Sequence, residues 1–116
     1  MKASEIRIGN WVRTIITNTP IKISIDELLN IINDPDDHQL ESIPITEEWL
    51  VRFGFEKVSG KDGFYLNDWR FHISSPINYD GFLLCEGYYV ISDRIQHVHQ
   101  LQNLYFALTG EELEQI

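Results

Sequence analysis

Histidine and cysteine are the residues of this chain that could bind a transition metal. His97 and His99 form an HxH pair, which on a β-strand would place both imidazoles on one face as metal ligands. On a helix, residues two apart point about 160° away from each other, and helical periodicity starts near Val98. His72 and Cys85 add no spacing that resembles a zinc motif. We therefore expect no metal site.

Carboxylates form a second group of residues that could bind a ligand or a partner. The segment from Ile23 to Val51 holds eight Asp and Glu residues and no Lys or Arg, in a chain of net charge -9. Such a segment repels a phosphate backbone, which disfavours direct nucleic-acid binding, and it lacks the glycine bend of a calcium loop. Two interpretations remain open: a solvated face, or an acidic surface that imitates nucleic acid and inhibits a DNA-binding protein. That acidic partner surface would comprise Asp34, Asp36, Asp37 and Glu41.

Motifs of nucleophilic or nucleotide chemistry are missing from the sequence. It contains no G-x-S-x-G elbow, no P-loop and no G-x-G-x-x-G turn, so no cofactor is predicted. Cys85 lies within an apolar strand pattern and is interpreted as a small buried hydrophobic residue. An alternative is a small hydrolase, whose site on the polar face of a sheet would bring together His72, Arg70 and Tyr65.

The C-terminal segment from Val98 predicts a helix that Gly110 ends in a left-handed cap. One stripe of this helix should face the core, and it comprises Val98, Leu101, Leu104, Tyr105 and Leu108. Phe106 falls outside that stripe and should be covered by something, either the N-terminal hairpin or a partner or twin subunit. The predicted partner contact comprises His99, Gln102, Asn103 and Phe106.

The elements that position these residues follow from turn and cap signals. The segment from Ile6 to Ile23 predicts a hairpin, and Ser24 with Glu27 predicts a capping box that opens a helix, which Asn33-Asp34-Pro35 ends. The apolar face of that helix is predicted to comprise Leu28, Leu29 and Ile32.

A loop from Asp34 to Pro44 should lead to a second helix, Glu47 to Phe53, between a Thr46 N-cap and Gly54. The stretch from Phe55 to Ser92 then predicts an antiparallel meander. Its segments Phe82 to Cys85 and Tyr88 to Ile91 are apolar on both faces and should be covered twice. The expected fold is α+β: an antiparallel β-meander packed against a C-terminal helix, with an N-terminal hairpin and two short helices before the meander.

Composition limits the class of protein. A length of 116 residues with 43% apolar residues fits a single globular domain spanning residues 1–116. No stretch approaches the roughly 18 apolar residues of a membrane span, and the charged start MKASEIRIGNWV does not resemble a secretion signal. With one cysteine, no internal disulfide can form. We expect a cytoplasmic protein.

Three segments of the chain resemble the sequences of a family of small proteins of Bacteroidetes genomes, whose genes are often found near prophage or other mobile-element genes. The segments are RIGNWV at residues 7–12, PITEEWLVRFGFEK at residues 44–57 and VHQLQNLYFALTGEEL at residues 98–113. No pattern of the family matches residues 16–42 or 61–94. The resemblance implies a bacterial cytoplasm and a phage or mobile-element accessory role, but no activity and no site residues.

The sequence as a whole favours a non-enzymatic interaction or accessory module over an enzyme. Its partner would be an unknown protein or, as a homodimer, a second copy of the chain. The acidic nucleic-acid mimic and the small hydrolase are the alternatives.

Overall fold

The computed structural model describes residues 6–33, 40–57, 63–66, 70–75, 81–87 and 89–115. The chain folds as two compact units. Unit 1 comprises Met1–Pro44 and His97–Glu112, and unit 2 comprises Ile45–Gln96 and Leu113–Ile116. The elements confirm the predicted α+β class with an antiparallel meander and a C-terminal helix. Among the described residues, no helix has the length and apolar content that crossing a membrane requires.

Unit 1 is built on a three-stranded antiparallel sheet of order β2-β1-β3. Strands β1 (Trp11–Thr14) and β2 (Pro20–Lys22) form the predicted hairpin, with Val12 opposite Ile21. Strand β3 (Leu40–Ser42) pairs with the other edge of β1, although the sequence predicted a loop over these residues. That prediction was wrong because three residues without a turn signal or an alternating pattern become a strand only through their neighbour.

Two helices complete unit 1. Helix α1 spans Ile25–Asn33 and helix α3 spans Val98–Thr109, as predicted from their cap signals. Gly110 ends α3 in the left-handed conformation, and its N–H donates to the Phe106 carbonyl at 2.8 Å. Helix α3 packs on β1. Its predicted core stripe is buried at Val98 and Leu101 but not at its far end, where Leu108 is exposed.

Unit 2 begins with helix α2 (Glu47–Arg52), whose ends follow the sequence signals closely. The Thr46 hydroxyl accepts from the Trp49 N–H at 3.3 Å and thereby caps the first turn. At the other end Gly54 has a positive φ of 93°. The N–H groups of Gly54 and Phe55 donate to the carbonyls of Val51 and Leu50, which is the Schellman arrangement.

The predicted meander follows α2 as a five-stranded antiparallel sheet of order β4-β5-β6-β7-β8. Its strands are Glu56–Lys57, Phe64–Tyr65, Phe71–Ser74, Phe82–Glu86 and Tyr89–Ile95. The expected double cover of the last two strands is wrong at the start of β8, where Tyr89 and Val90 are largely exposed. Both residues adjoin the turn at Gly87, and a strand end beside a turn is readily left open to solvent.

Candidate interaction site

Helix α1 of unit 1 is held in place by its own first turn and by the core beneath it. The Ser24 N–H donates to the Glu27 carboxylate at 3.2 Å, and the Leu28 N–H donates to the Ser24 carbonyl at 3.1 Å. The first bond satisfies an N–H group that a helix start would otherwise leave without a partner, and the second is the first backbone bond of the helix. The predicted start of the helix is therefore confirmed.

One edge of α1 packs into the core of unit 1. Ile31 is 5% exposed and belongs to the buried apolar cluster of this unit, and Leu28 packs against the same cluster. Because the two residues are three positions apart, they lie on one side of the helix. The cluster as a whole comprises Ile6, Val12, Ile23 and Ile31, with Ile21, Leu28 and Leu40 packed around it.

The adjacent edge of α1 is apolar and exposed. Ile25, Leu29 and Ile32 are 60%, 49% and 55% exposed, and their spacing places them within an arc of about 60°. We call these three residues the α1 stripe. The sequence had placed Leu29 and Ile32 on one apolar face with Leu28, but of the three only Leu28 packs against the core. Since α1 has apolar residues over more than one edge, the sheet below can cover only part of them.

A polar border runs along the open side of the α1 stripe. Asp26, Asn30 and Asn33 follow the stripe around the helix and are exposed. The helix itself contains no Lys or Arg. An exposed apolar patch with a polar rim is typical of a surface that contacts another molecule.

The second face of α3, which the sequence singled out as a partner contact, holds the N-terminal turn instead. Gln102 is 1% exposed; its amide oxygen accepts from the Trp11 N–H at 2.8 Å and its amide nitrogen donates to the Gly9 carbonyl at 3.1 Å. The Asn103 side-chain oxygen accepts from Asn10 Nδ2 at 2.8 Å. These contacts fix the turn that opens β1.

The side chain of Arg7 lies over the ring of Phe106. Its guanidinium lies 4.6 Å from the centre of the Phe106 ring and donates to Asn103 Oδ1 at 2.8 Å and to the Glu112 carboxylate at 2.7 Å. His99 is buried, whereas Phe106 keeps 40% of its surface exposed. Of the predicted partner contact, Phe106 is thus the residue most open to a partner, and that contact stays a prediction.

The HxH pair straddles the start of α3. His97 is the N-cap residue with an extended backbone, and His99 lies in the first turn. The two imidazole rings stack with centroids 5.8 Å apart, so the predicted divergence is wrong, because the helical angle does not apply to a residue outside the helix. Within the described ranges, no group of three or more His, Cys, Asp or Glu residues is placed to hold a metal ion.

The acidic partner surface is described only at Glu41. Asp34, Asp36 and Asp37 lie outside the described residues. Glu41 accepts from Arg13 Nε at 2.6 Å across β1 and β3, so its charge is balanced by a base of the neighbouring strand. The pair lines an open groove of about 410 Å³ in unit 1, together with Ile15, Leu40, Ser42, Pro44 and His97.

The residues of the hydrolase alternative lie on the meander of unit 2. Tyr65 and His72 are directly opposite each other on β5 and β6 and their rings stack at 4.9 Å. Arg70 instead donates to Glu86 at 2.8 Å. Cys85 is buried in β7, and desolvation raises the pKa of its thiol, which disfavours the nucleophilic thiolate. None of these arrangements is the nucleophile with an oriented base that hydrolysis needs.

Comparison of this chain with protein-family models, with curated proteins and with solved structures gave no match.

Proposed function

We propose that this protein is a non-enzymatic binding module that docks an amphipathic helix of a partner protein on the α1 stripe. The observation that carries the proposal is the exposure of Ile25, Leu29 and Ile32 on a helix whose neighbouring edge packs against the core. Exposed apolar surface is costly in water, and three such residues in line form one continuous strip rather than scattered contacts.

The size of the stripe favours a helix as its occupant. Three half-exposed aliphatic side chains offer an apolar patch on the order of a few hundred Å², whereas a stable interface between two proteins uses about 800 Å² on each side. The stripe alone is therefore too small to hold a second copy of the chain. A helix laid along α1 needs only anchors at one-turn intervals, which the spacing of Ile25, Leu29 and Ile32 supplies.

Contacts elsewhere in the chain support binding over catalysis. The polar side chains that the sequence suggested for hydrolysis are stacked or ion-paired on the meander, as Tyr65 with His72 and Arg70 with Glu86. The phage or mobile-element setting, the cytoplasmic location and the mimicry of nucleic acid stay predictions.

The test is a titration of the ¹⁵N-labelled protein with an uncharged amphipathic peptide of Leu and Gln, about 14 residues or four helical turns long. We expect amide shifts that concentrate on α1. The double variant Leu29→Gln/Ile32→Gln should abolish them, because it removes two of the three anchors without touching the core.

A matched control carries the same kind of change elsewhere. Ile16 and Tyr89 are 82% and 81% exposed, so Ile16→Gln/Tyr89→Gln removes two exposed apolar groups from residues that do not belong to α1. This control should bind like the original protein. Equal shifts in the stripe variant would overturn the proposed function. So would the absence of shifts on α1 both with this peptide and with peptides that carry the same Leu face beside charged polar positions.

A further inference from the structure

Resting on the proposed function, we infer that the helix that docks on the α1 stripe is cationic, with Lys or Arg beside its apolar face. The charges around the stripe favour such a helix over a neutral amphipathic helix and over a second copy of this chain.

The first turn of α1 carries Asp26 and Glu27, and no Lys or Arg follows within the helix. Asp26 is exposed and directly borders the stripe, about 60° around the helix from Leu29. A lysine on a helix lying along the stripe would therefore come close to the Asp26 carboxylate. Salt only partly screens the attraction between a lysine and a carboxylate that lie closer together than the Debye length, which is about 8 Å at physiological salt.

Two other acids of the segment, Glu41 and Glu48, are balanced by bases of the chain. Glu41 pairs with Arg13 and Glu48 pairs with Arg52, both at 2.6 Å. Among the described residues, the ion pairs leave Asp26 and Glu27 without a basic partner. The nearest base in the sequence is Lys22, in β2 before the helix. The stripe thus lies beside Asp26, whose negative charge no described ion pair balances.

The charge of the whole chain acts in the same direction. A net charge of -9 attracts cations from a distance and speeds their association. Two copies of the chain, each with the same net negative charge, would instead repel each other. The negative charge of the chain therefore favours a basic partner, whereas the apolar area of the stripe does not distinguish a basic helix from a neutral one.

The test compares three labelled peptides that share one apolar Leu face of about four helical turns. Their polar positions hold Lys, Gln or Glu. Binding to the unmodified protein is measured by fluorescence anisotropy at low and high sodium chloride. We expect the Lys peptide to bind at least about tenfold more tightly than the Gln peptide at low salt, the Glu peptide to bind weakest, and the differences to shrink as salt rises.

A charge variant locates the effect. Asp26→Asn/Glu27→Gln removes two charges from the first turn of α1, of which Asp26 borders the stripe, and glutamine at position 27 keeps an oxygen for the Ser24 N–H. The control Glu111→Gln/Glu114→Gln removes two charges from the C-terminal segment. We expect the first variant to lose several-fold affinity for the Lys peptide and none for the Gln peptide. The control should lose much less, which separates a local effect from net charge.

The outcomes separate this inference from the proposed function. If the Gln peptide binds on α1 as tightly as the Lys peptide, the protein docks helices but the inferred cationic partner is wrong. The same holds if the two charge variants lose affinity equally. If none of the three peptides binds, the proposed function itself fails. Self-association that Leu29→Gln/Ile32→Gln abolishes would make a second copy the occupant and also overturn the inference.

Discussion

Ile31 and Ile32 are adjacent and chemically identical residues of α1, yet Ile31 is 5% exposed in the core of unit 1 and Ile32 is 55% exposed. The boundary between the buried edge of the helix and the α1 stripe runs between them. This difference separates residues that stabilise the fold from residues available to a partner, and the two positions should respond differently to the same substitution.

Truncation of the two isoleucines should therefore have unequal effects on stability. We expect Ile31→Ala to lower the free energy of unfolding by about 2–4 kcal/mol, because it leaves a cavity in a packed core. Ile32→Ala should change it by no more than about 0.5 kcal/mol. Urea denaturation monitored by circular dichroism measures both values. Similar losses at the two positions would show that α1 is not oriented as described.

The stacking of Arg7 on Phe106 should appear as an energetic coupling. A double-mutant cycle with Arg7→Gln and Phe106→Leu removes the cation and the aromatic face separately while keeping an apolar side chain at position 106. We expect a coupling of about 0.5–1 kcal/mol, the usual range for a partly exposed cation over a ring. The control cycle pairs Phe106→Leu with Arg13→Gln, because Arg13 contacts Glu41 instead. Equal couplings in the two cycles would rule out a specific contact.

Gln102 should contribute strongly to the stability of the N-terminal turn. The substitution Gln102→Leu keeps a side chain of similar size but removes the partners of the Trp11 N–H and the Gly9 carbonyl. Leaving a buried polar group without a hydrogen bond costs about 1–3 kcal/mol, and because these two bonds are part-buried we expect a total loss of roughly 1–3 kcal/mol in unfolding free energy. The same change at the exposed Gln115 is the control and should be nearly neutral. A neutral Gln102→Leu would contradict the described network.

Stability at alkaline pH should depend on Cys85. Burial raises the pKa of this thiol in the folded protein, so above the ordinary cysteine pKa of about 8.5 the unfolded chain loses its thiol proton first. The unfolded state then binds fewer protons, and stability falls as pH rises. Relative to Cys85→Ala, the original protein should lose unfolding free energy as the pH rises above about 8.5. Parallel pH profiles of the two proteins would contradict this linkage.

Local signals in the sequence predicted the parts of the fold that local interactions control. Thr46, Gly54 and Gly110 mark helix ends because a cap is formed by residues a few positions apart, and all three act as caps in the structure. The meander was predictable for the same reason, since each of its strands pairs with the next along the chain.

Contacts between distant segments were not predictable. Strand β3 forms only through β1, nearly 30 residues earlier, and the contact of Arg7 with Phe106 joins opposite ends of the chain. The α1 stripe was missed because Leu28, Leu29 and Ile32 fit one helical face as well as Leu28 and Ile31, the two residues that pack against the core. Periodicity identifies apolar positions on a helix, but only the tertiary fold decides which of them are covered.

The central claim is that a helix buries the α1 stripe, and isothermal titration calorimetry with the Lys peptide tests it most directly. At several temperatures, the unmodified protein should bind with a negative heat-capacity change, the signature of apolar burial. Leu29→Gln/Ile32→Gln should weaken binding at least about tenfold, which is roughly 1.4 kcal/mol, and should reduce the heat-capacity change. An unchanged affinity and heat-capacity change in this variant would show that the peptide binds elsewhere and would contradict the claim.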